Sequence, residues 1–227
     1  DFYDIARKVR AQAPDIEVFV ASNAIPSSVT RRRASKLPTL IFSPGNLLEF
    51  RPMRGKIYAG SPIPKLEQIA RFRSAGLPVP ATMEITPDVV LPESLFGSHV
   101  VVKPSFSLAS HGHHMTLIRR EAVRYVPRES YPEDHPGRYG SMFAQRFVDT
   151  GPSVNHHRVL TLFGEPLLAF KTISQSTRPS LDAPDDVLAT IAVEARRRDG
   201  PIAREATWGA DILALARRAY RALPEIP

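Results

Sequence analysis

Residues 157–173, HRVLTLFGEPLLAFKTI, limit the possible folds more than any other segment of this chain. Two apolar runs flank Gly164-Glu165, and a glycine at the first central position is typical of a two-residue type II′ hairpin. Counting outward from this turn predicts that Arg158 lies directly opposite Lys171. Both cations would then share one sheet face with apolar side chains, namely Leu160, Leu162, Leu167 and Ala169.

The predicted pair of like charges needs a physical explanation. Like charges directly opposite on a sheet are destabilising, and more so when they are removed from water. One interpretation is that a phosphate-rich ligand lies between Arg158 and Lys171. Two alternatives stay open: an Asp or Glu from another segment neutralises the pair, or the strands pair in another register.

Helices and strands alternate along the rest of the chain. Apolar stripes at helical spacing predict three helices, at 2–13, 64–75 and 211–223. Short apolar or β-branched runs predict further strands, at 16–21, 38–42, 99–104 and 142–148. Clusters of Pro predict loops, at 22–38, 127–136 and 174–184. This order predicts an α/β to α+β fold, with an open α/β layer in the first 60 residues.

The composition excludes several classes of protein. The chain has 227 residues, of which 43% are hydrophobic and 23% charged, so it is long enough to bury a core and unlike a disordered chain. It has no Cys, which excludes disulfides, thiolate zinc sites and a Cys nucleophile. No apolar run approaches the roughly 18 to 20 residues of a membrane-spanning helix, so we expect no membrane association and a cytoplasmic location.

The net charge of +7 is spread along the chain, with 24 Arg in scattered short runs and 6 Lys. This distribution favours solvated faces. A nucleic-acid binder, the third class considered, would need a continuous basic helix or a strand with interleaved aromatic residues. Neither pattern is present in the sequence, and we expect no nucleic-acid partner.

Histidines and serines offer little support for other chemistry. His111, His113 and His114 invite a metal site, as do His156 and His157, but adjacent side chains on an extended segment point to opposite faces and no nearby acid completes a cluster. Catalysis by Ser, His and Asp has no support, because no G-x-S-x-G elbow is present. We therefore expect no metal ligands among these residues.

Five features in this order resemble the ATP-grasp superfamily. They are a helix starting near Lys65 and running into AGLPVP, the run VVVKP, a loop of small residues, the run AQRFV, and the cations Arg158 and Lys171. Within the superfamily the chain is most similar to the D-alanyl-D-alanine ligase and ribosomal-protein glutamate-ligase branches. The resemblance covers residues 61–173. It implies an N-terminal α/β (pre-ATP-grasp-like) domain at 1–60 and an ATP-grasp-like domain at 61–227, with a central subdomain at about 78–144 and an incomplete C-terminal one at 145–227.

The resemblance also implies roles for individual residues. Lys103 would contact the α- and β-phosphates of ATP, Lys65 would approach the phosphates, and Gln145 would meet the adenine amino group. The main chains of Arg146 and Val148 would hold the adenine edge, and Phe147 would keep the hinge that these residues form packed. The small-residue loop would cover the phosphates through Ser105, Ser107, Ser110 and Gly112, although it has one glycine where relatives commonly have several. Arg158 and Lys171 would be the catalytic cations.

Each of these motifs also has a purely structural interpretation, since VKP taken alone fits a buried strand that ends in a snorkelling Lys. The implied reaction joins a carboxylate, of a small molecule or a peptide, to an amine through an acyl-phosphate, with ATP and Mg²⁺. In the relatives, a strand-borne Asp and a Glu-x-Asn segment hold the magnesium; we find neither here and expect them beyond residue 227. Residues 1–227 alone are therefore expected to be an inactive fragment. The alternative is a non-catalytic nucleotide-binding or regulatory module of the same fold, and a homo-oligomer is a further expectation.

Overall fold

The computed structural model describes residues 2–21, 28–43, 52–59, 63–106, 114–190 and 202–225. The chain divides into two compact units. The first comprises Asp1–Ser61 with Glu225–Pro227, and the second comprises Pro62–Pro224. Helices and strands are mixed in both, which confirms the predicted α/β to α+β class.

The described residues of the first unit form two parallel strands and two helices. Its elements are α1 (Phe2–Gln12), α2 (Val29–Ser35), β1 (Pro38–Ser43) and β2 (Arg54–Ala59). The parallel pairing of β1 with β2 agrees with the predicted open α/β layer. The strand predicted at 16–21 is wrong, because these residues pair with no described strand. Helix α2 occupies part of a segment predicted as loop; it begins after Ser28, whose hydroxyl accepts the Arg31 N–H at 3.1 Å.

In the part of the second unit that the structure describes, the strands form two antiparallel sheets. Its first part contains α3 (Lys65–Ser74), β3 (Thr82–Glu84), α4 (Glu93–Phe96), β4 (His99–Pro104), β5 (Thr116–Arg119) and β6 (Met142–Arg146). Three short 3₁₀ turns lie between β5 and β6, at Arg120–Ala122, Arg128–Ser130 and Pro136–Arg138. Its second part contains β7 (Asn155–Leu162), β8 (Glu165–Ser174), α5 (Asp185–Ala189), β9 (Ile202–Ala206) and α6 (Ala210–Ala222). The predicted helices at 64–75 and 211–223 and the strand at 99–104 are confirmed.

Strands β3, β6, β4 and β5 form a four-stranded sheet in that order. One face carries a core that includes Val100 and Ala144, which pack with Phe96. The opposite face carries Val101 and Leu117, which pack with Leu188 of α5 and are both buried. Because both faces bury apolar side chains, β4 reads as a continuous β-branched run in the sequence. A polar side chain on this strand therefore needs an explanation.

Strands β7, β8 and β9 form the second sheet, and the hairpin that joins β7 to β8 differs from the prediction. The two turn residues are Phe163 and Gly164, with φ of 52° and 83°, which is a type I′ turn rather than a type II′ turn at Gly164-Glu165. The register then shifts by one residue, because Thr161 pairs with Pro166 while Leu160 pairs with Leu168. Leu167 is the extra residue of this bulge.

The bulge separates the two cations that the sequence placed together. Arg158 lies opposite Phe170, and Lys171 lies opposite His157 on one side and Glu205 on the other. Neighbouring residues on a strand point to opposite faces, so Arg158 and Lys171 lie on different faces of the sheet. The predicted Arg158–Lys171 pair is wrong, and the alternative of a different register holds.

No described helix is long and apolar enough to cross a membrane.

Candidate functional site

A row of polar side chains crosses the four-stranded sheet on the face that also carries Val101. The Lys103 Nζ of β4 donates a hydrogen bond to the Gln145 Oε1 of β6 at 2.7 Å. The two strands bring them close, because Val101 pairs with Gln145 and Lys103 pairs with Phe143. Both side chains are half-buried, and the Lys103 ammonium lies 5.4 Å from the centre of the buried Phe143 ring. A cation is thus held in place on an otherwise apolar sheet face.

The row continues from Gln145 onto β3. The Gln145 Nε2 donates to the Thr82 Oγ1 at 2.9 Å, and the Thr82 hydroxyl donates to the Pro80 carbonyl at 2.9 Å. Thr82 and Gln145 are directly opposite in the β3–β6 pairing. The amide of Gln145 is therefore held at both ends. No sequence pattern pointed to Thr82, since β3 has only three residues and Gln145 lies 63 positions away.

The end of β4 is tied to the beginning of α3. The main-chain N–H of Lys65, the first residue of α3, donates to the Ser105 carbonyl at 2.7 Å. The Ser105 N–H donates to the Ser141 carbonyl at 2.8 Å, and Ser105 is buried. Lys65 itself is exposed, and its Nζ donates to Gln68 Oε1 at 3.1 Å. The structure therefore brings Lys65 and Ser105 together at the end of the strand that carries Lys103.

The segment that follows Gln145 is hydrogen-bonded to the chain on both sides of β6, next to β3 and at the start of β4. The Arg146 N–H donates to the Ala81 carbonyl at 2.8 Å, and the Phe147 N–H donates to the His99 carbonyl at 3.0 Å. Phe147 packs against the core on the Val101 face. Val148 is exposed, and within the described part of the chain its main chain makes no hydrogen bond. Main-chain groups of Val148 are thus open to a ligand, whereas the Arg146 N–H is already bonded.

An ion pair follows the hinge. The Arg178 guanidinium donates to Asp149 Oδ1 at 2.8 Å and lies 5.9 Å from the centre of the Phe147 ring. The hydrogen bond from Arg178, together with the Gly151 N–H, holds the pKa of Asp149 below its ordinary value. The Arg178 side chain is 10% exposed. This pair fastens the hinge to the segment after β8, and nothing in the sequence pattern indicated it.

The rings of His114, Tyr131 and His135 form a cluster that the sequence patterns also did not indicate. The His135 ring stacks on Tyr131 and meets the His114 ring edge-on, with 4.5 Å between ring centres in both pairs. His135 Nδ1 accepts the Gly137 N–H at 3.0 Å. Burial and the neighbouring His114 lower the pKa of His135, while Asp134 acts in the opposite direction. These surroundings therefore favour the neutral form of His135.

Three of the predicted phosphate-contacting residues, Ser107, Ser110 and Gly112, lie outside the described residues, as do His111 and His113. Of the two predicted catalytic cations, Lys171 is half-buried and Arg158 is exposed, on opposite faces of their sheet. Across the described residues, no group of three or more His, Asp or Glu side chains is arranged to hold a metal ion.

Comparisons with known proteins give structural matches only. No family model matches the chain, and no curated protein matches it. Among solved structures, a D-alanine–D-alanine ligase from Bacillus anthracis matches with 13% identity and a TM-score of 0.40, over 71% of this chain and 48% of the ligase. The same ligase complexed with ATP matches with 14% identity and a TM-score of 0.38, over 70% and 47%. D-cycloserine synthetase DcsG matches with 20% identity and a TM-score of 0.44, over 70% and 50%.

These matched proteins are ATP-grasp enzymes, the superfamily that the sequence resembles. The chain spans about half the length of each.

Proposed function

We propose that this chain binds ATP on the sheet face formed by Lys103 and Gln145, as part of an ATP-dependent ligase that joins a carboxylate to an amine. The observation that carries the proposal is the 2.7 Å hydrogen bond between Lys103 Nζ and Gln145 Oε1. It joins two residues 42 positions apart that the resemblance assigned to the two ends of one nucleotide. Both side chains lie on one face of two paired strands, so a single ligand on that face can contact both of them.

The chemistry of the residues suits a nucleoside triphosphate. The triphosphate carries several negative charges, and a half-buried ammonium such as that of Lys103 binds phosphate more strongly than one in bulk water. Lys65 would supply a second cation at the end of β4, and the Ser105 hydroxyl is a donor beside it. Gln145 Oε1 would accept the adenine amino group, and Val148 would contribute its main chain to the base.

The proposed reaction has two steps. A substrate carboxylate oxygen attacks the γ-phosphorus of ATP, which forms an acyl-phosphate and releases ADP. The amine nitrogen then attacks the acyl carbon, the C–O bond to phosphate breaks, and the amide and inorganic phosphate are released with one proton. Residues of this chain would hold the phosphates and orient the base.

Arg158 and Lys171 enter this proposal as alternatives. Since they lie on opposite faces of their sheet, they cannot both contact one bound nucleotide. Lys171 is half-buried and has Glu205 as its cross-strand neighbour, while Arg158 is exposed beside Phe170. Separate variants of the two residues decide which of them contributes.

Nucleotide binding is tested by thermal unfolding with millimolar ATP against sulfate of equal ionic strength. A ligand at 100 times its Kd stabilises the folded state by about 2.7 kcal/mol, or roughly 5–10 °C for a chain of this size. Lys103→Met should weaken ATP binding by about tenfold or more, since it removes a charge-assisted contact. Lys8→Met, an exposed position on α1, is the matched control with the same change of charge.

The outcome that refutes the proposal is a wild-type chain with no shift specific to nucleotide. Equal loss of the ATP shift in the Lys103 and Lys8 variants would indicate a nonspecific charge effect and would also refute it. A nucleotide-binding module without ligase activity gives the same shift, so the two functions are separated by ADP release from the protein of which residues 1–227 are proposed to be a part. ADP formed on mixing ATP with a carboxylate and an amine supports the ligase.

A further inference from the structure

We infer that Thr82 and Lys103 together fix the orientation of the Gln145 amide, and that this orientation makes the site select a base with an amino group over one with a carbonyl at the same position. The inference rests on the proposed nucleotide function. It goes beyond that function by assigning Thr82 a role in specificity, as a positioning residue that acts through Gln145.

The donor and acceptor capacities of the three side chains allow one arrangement. A Lys ammonium can donate hydrogen bonds and cannot accept them, so the group that faces Lys103 has to be the Gln145 oxygen. The Thr82 hydroxyl has one proton, which it donates to the Pro80 carbonyl at 2.9 Å. Its oxygen is left as an acceptor, so the group that faces Thr82 has to be the Gln145 NH₂.

A flipped amide would break both contacts. The NH₂ would then point at the Lys103 ammonium, and the carbonyl oxygen would point at a hydroxyl oxygen whose proton is already committed. An unsatisfied polar group is costly when it is partly removed from water, as these half-buried side chains are, and more so beside a charge. Thr82 is directly opposite Gln145 and half-buried, so the sheet backbone itself holds the acceptor at this distance. The carbonyl end of the amide is therefore presented permanently on the Lys103 side.

This orientation has a consequence for the base. The Gln145 oxygen has two lone pairs, of which Lys103 uses one, and the other can accept the 6-amino group of adenine. The carbonyl oxygen of a 6-oxo base such as hypoxanthine would face the Gln145 oxygen, and two acceptors cannot form a hydrogen bond. A site built for one hydrogen-bond pattern binds the matching base with an affinity about tenfold or more higher.

The test compares the affinities of ATP and ITP, which differ at this position of the base. Wild type should prefer ATP by about tenfold or more, and Thr82→Val should narrow that ratio by about threefold or more because the amide loses its acceptor. Thr82→Ser keeps the hydroxyl and should keep the wild-type ratio. A general loss of phosphate binding would lower both affinities and leave the ratio unchanged, so the ratio reports the base alone.

Two outcomes overturn the inference in different ways. If wild type binds ATP but Thr82→Val keeps the full preference, Thr82 does not set specificity and the proposed function is unaffected. If wild type binds neither nucleotide, the proposed function fails and the inference fails with it. Gln145→Met covers the case in which Thr82→Val does not fold. It removes the amide and should also narrow the ratio of the ATP affinity to the ITP affinity. An unchanged ratio in this variant also overturns the inference.

Discussion

The turn of the β7–β8 hairpin provides a quantitative test of the fold around the second sheet. Gly164 has a φ of 83°, and a Cβ at this position would lie 2.5 Å from Tyr220 Cδ1 on α6. Gly164→Ala should therefore incur two costs, one for a left-handed backbone and one for overlap with the ring. Gly151 isolates the first cost, since its φ is 91° and a Cβ there would meet nothing within 4 Å.

The two variants should differ by the overlap alone. The left-handed backbone costs an alanine about 1–2 kcal/mol, partly offset by about 0.4–1 kcal/mol from the lower entropy of the unfolded chain. Forcing a methyl group against a packed ring adds about 1–3 kcal/mol. Gly151→Ala should therefore cost about 1 kcal/mol and Gly164→Ala about 2–4 kcal/mol. The difference corresponds to roughly 2–12 °C in Tm.

Thermal and urea unfolding of the two single variants measures these costs, and Tyr220→Ala supplies the second arm of a double-mutant cycle. In the Tyr220→Ala background the methyl group has room, so the cost of Gly164→Ala should fall to that of Gly151→Ala. Equal costs for the two single variants, or the same cost of Gly164→Ala in both backgrounds, would refute the packing of the hairpin tip on α6.

Three further predictions concern the cations and the titratable groups. Arg158→Met and Lys171→Met should not both weaken ATP binding, because the bulge puts the two side chains on opposite faces; parallel titrations in which both lose affinity tenfold would contradict the register. The lowered pKa of His135 means that protonation favours the unfolded chain, so stability should fall as the pH drops below the ordinary His pKa of about 6.5. His135→Asn should remove this loss of stability, which unfolding curves at pH 7.5 and pH 5 measure. The pKa of Asp149 is lowered chiefly by Arg178, so the ionised carboxylate stabilises the fold above its ordinary pKa of about 3.9, and this stability is lost as the pH falls further. Asp149→Asn should therefore be less stable than wild type at pH 7 and closer to it at pH 3. The same difference in unfolding free energy at both pH values would contradict the ion pair.

Local sequence patterns were sufficient to locate several elements of the second unit. The apolar stripe and the flanking Pro64 and Gly76 predicted α3, and the β-branched run at 99–104 predicted β4. Such patterns work because a helix stripe or a buried strand is encoded by neighbouring residues, each of which contributes the same periodicity. Lys103 could be singled out in the same way, as a cation at the end of an apolar strand.

Three features depended on the tertiary structure. The single extra residue at Leu167 moved Arg158 and Lys171 to opposite faces, and a count outward from a turn cannot detect a bulge because the residues on both sides of it look alike. The bond from Gln145 to Thr82 depends on β3 pairing beside β6, a contact between segments 63 residues apart. The edge-on contact of the His135 ring with His114 likewise joins two segments that are distant in the sequence. Local sequence determines where strands and helices form, but the order in which strands pair decides which side chains share a face.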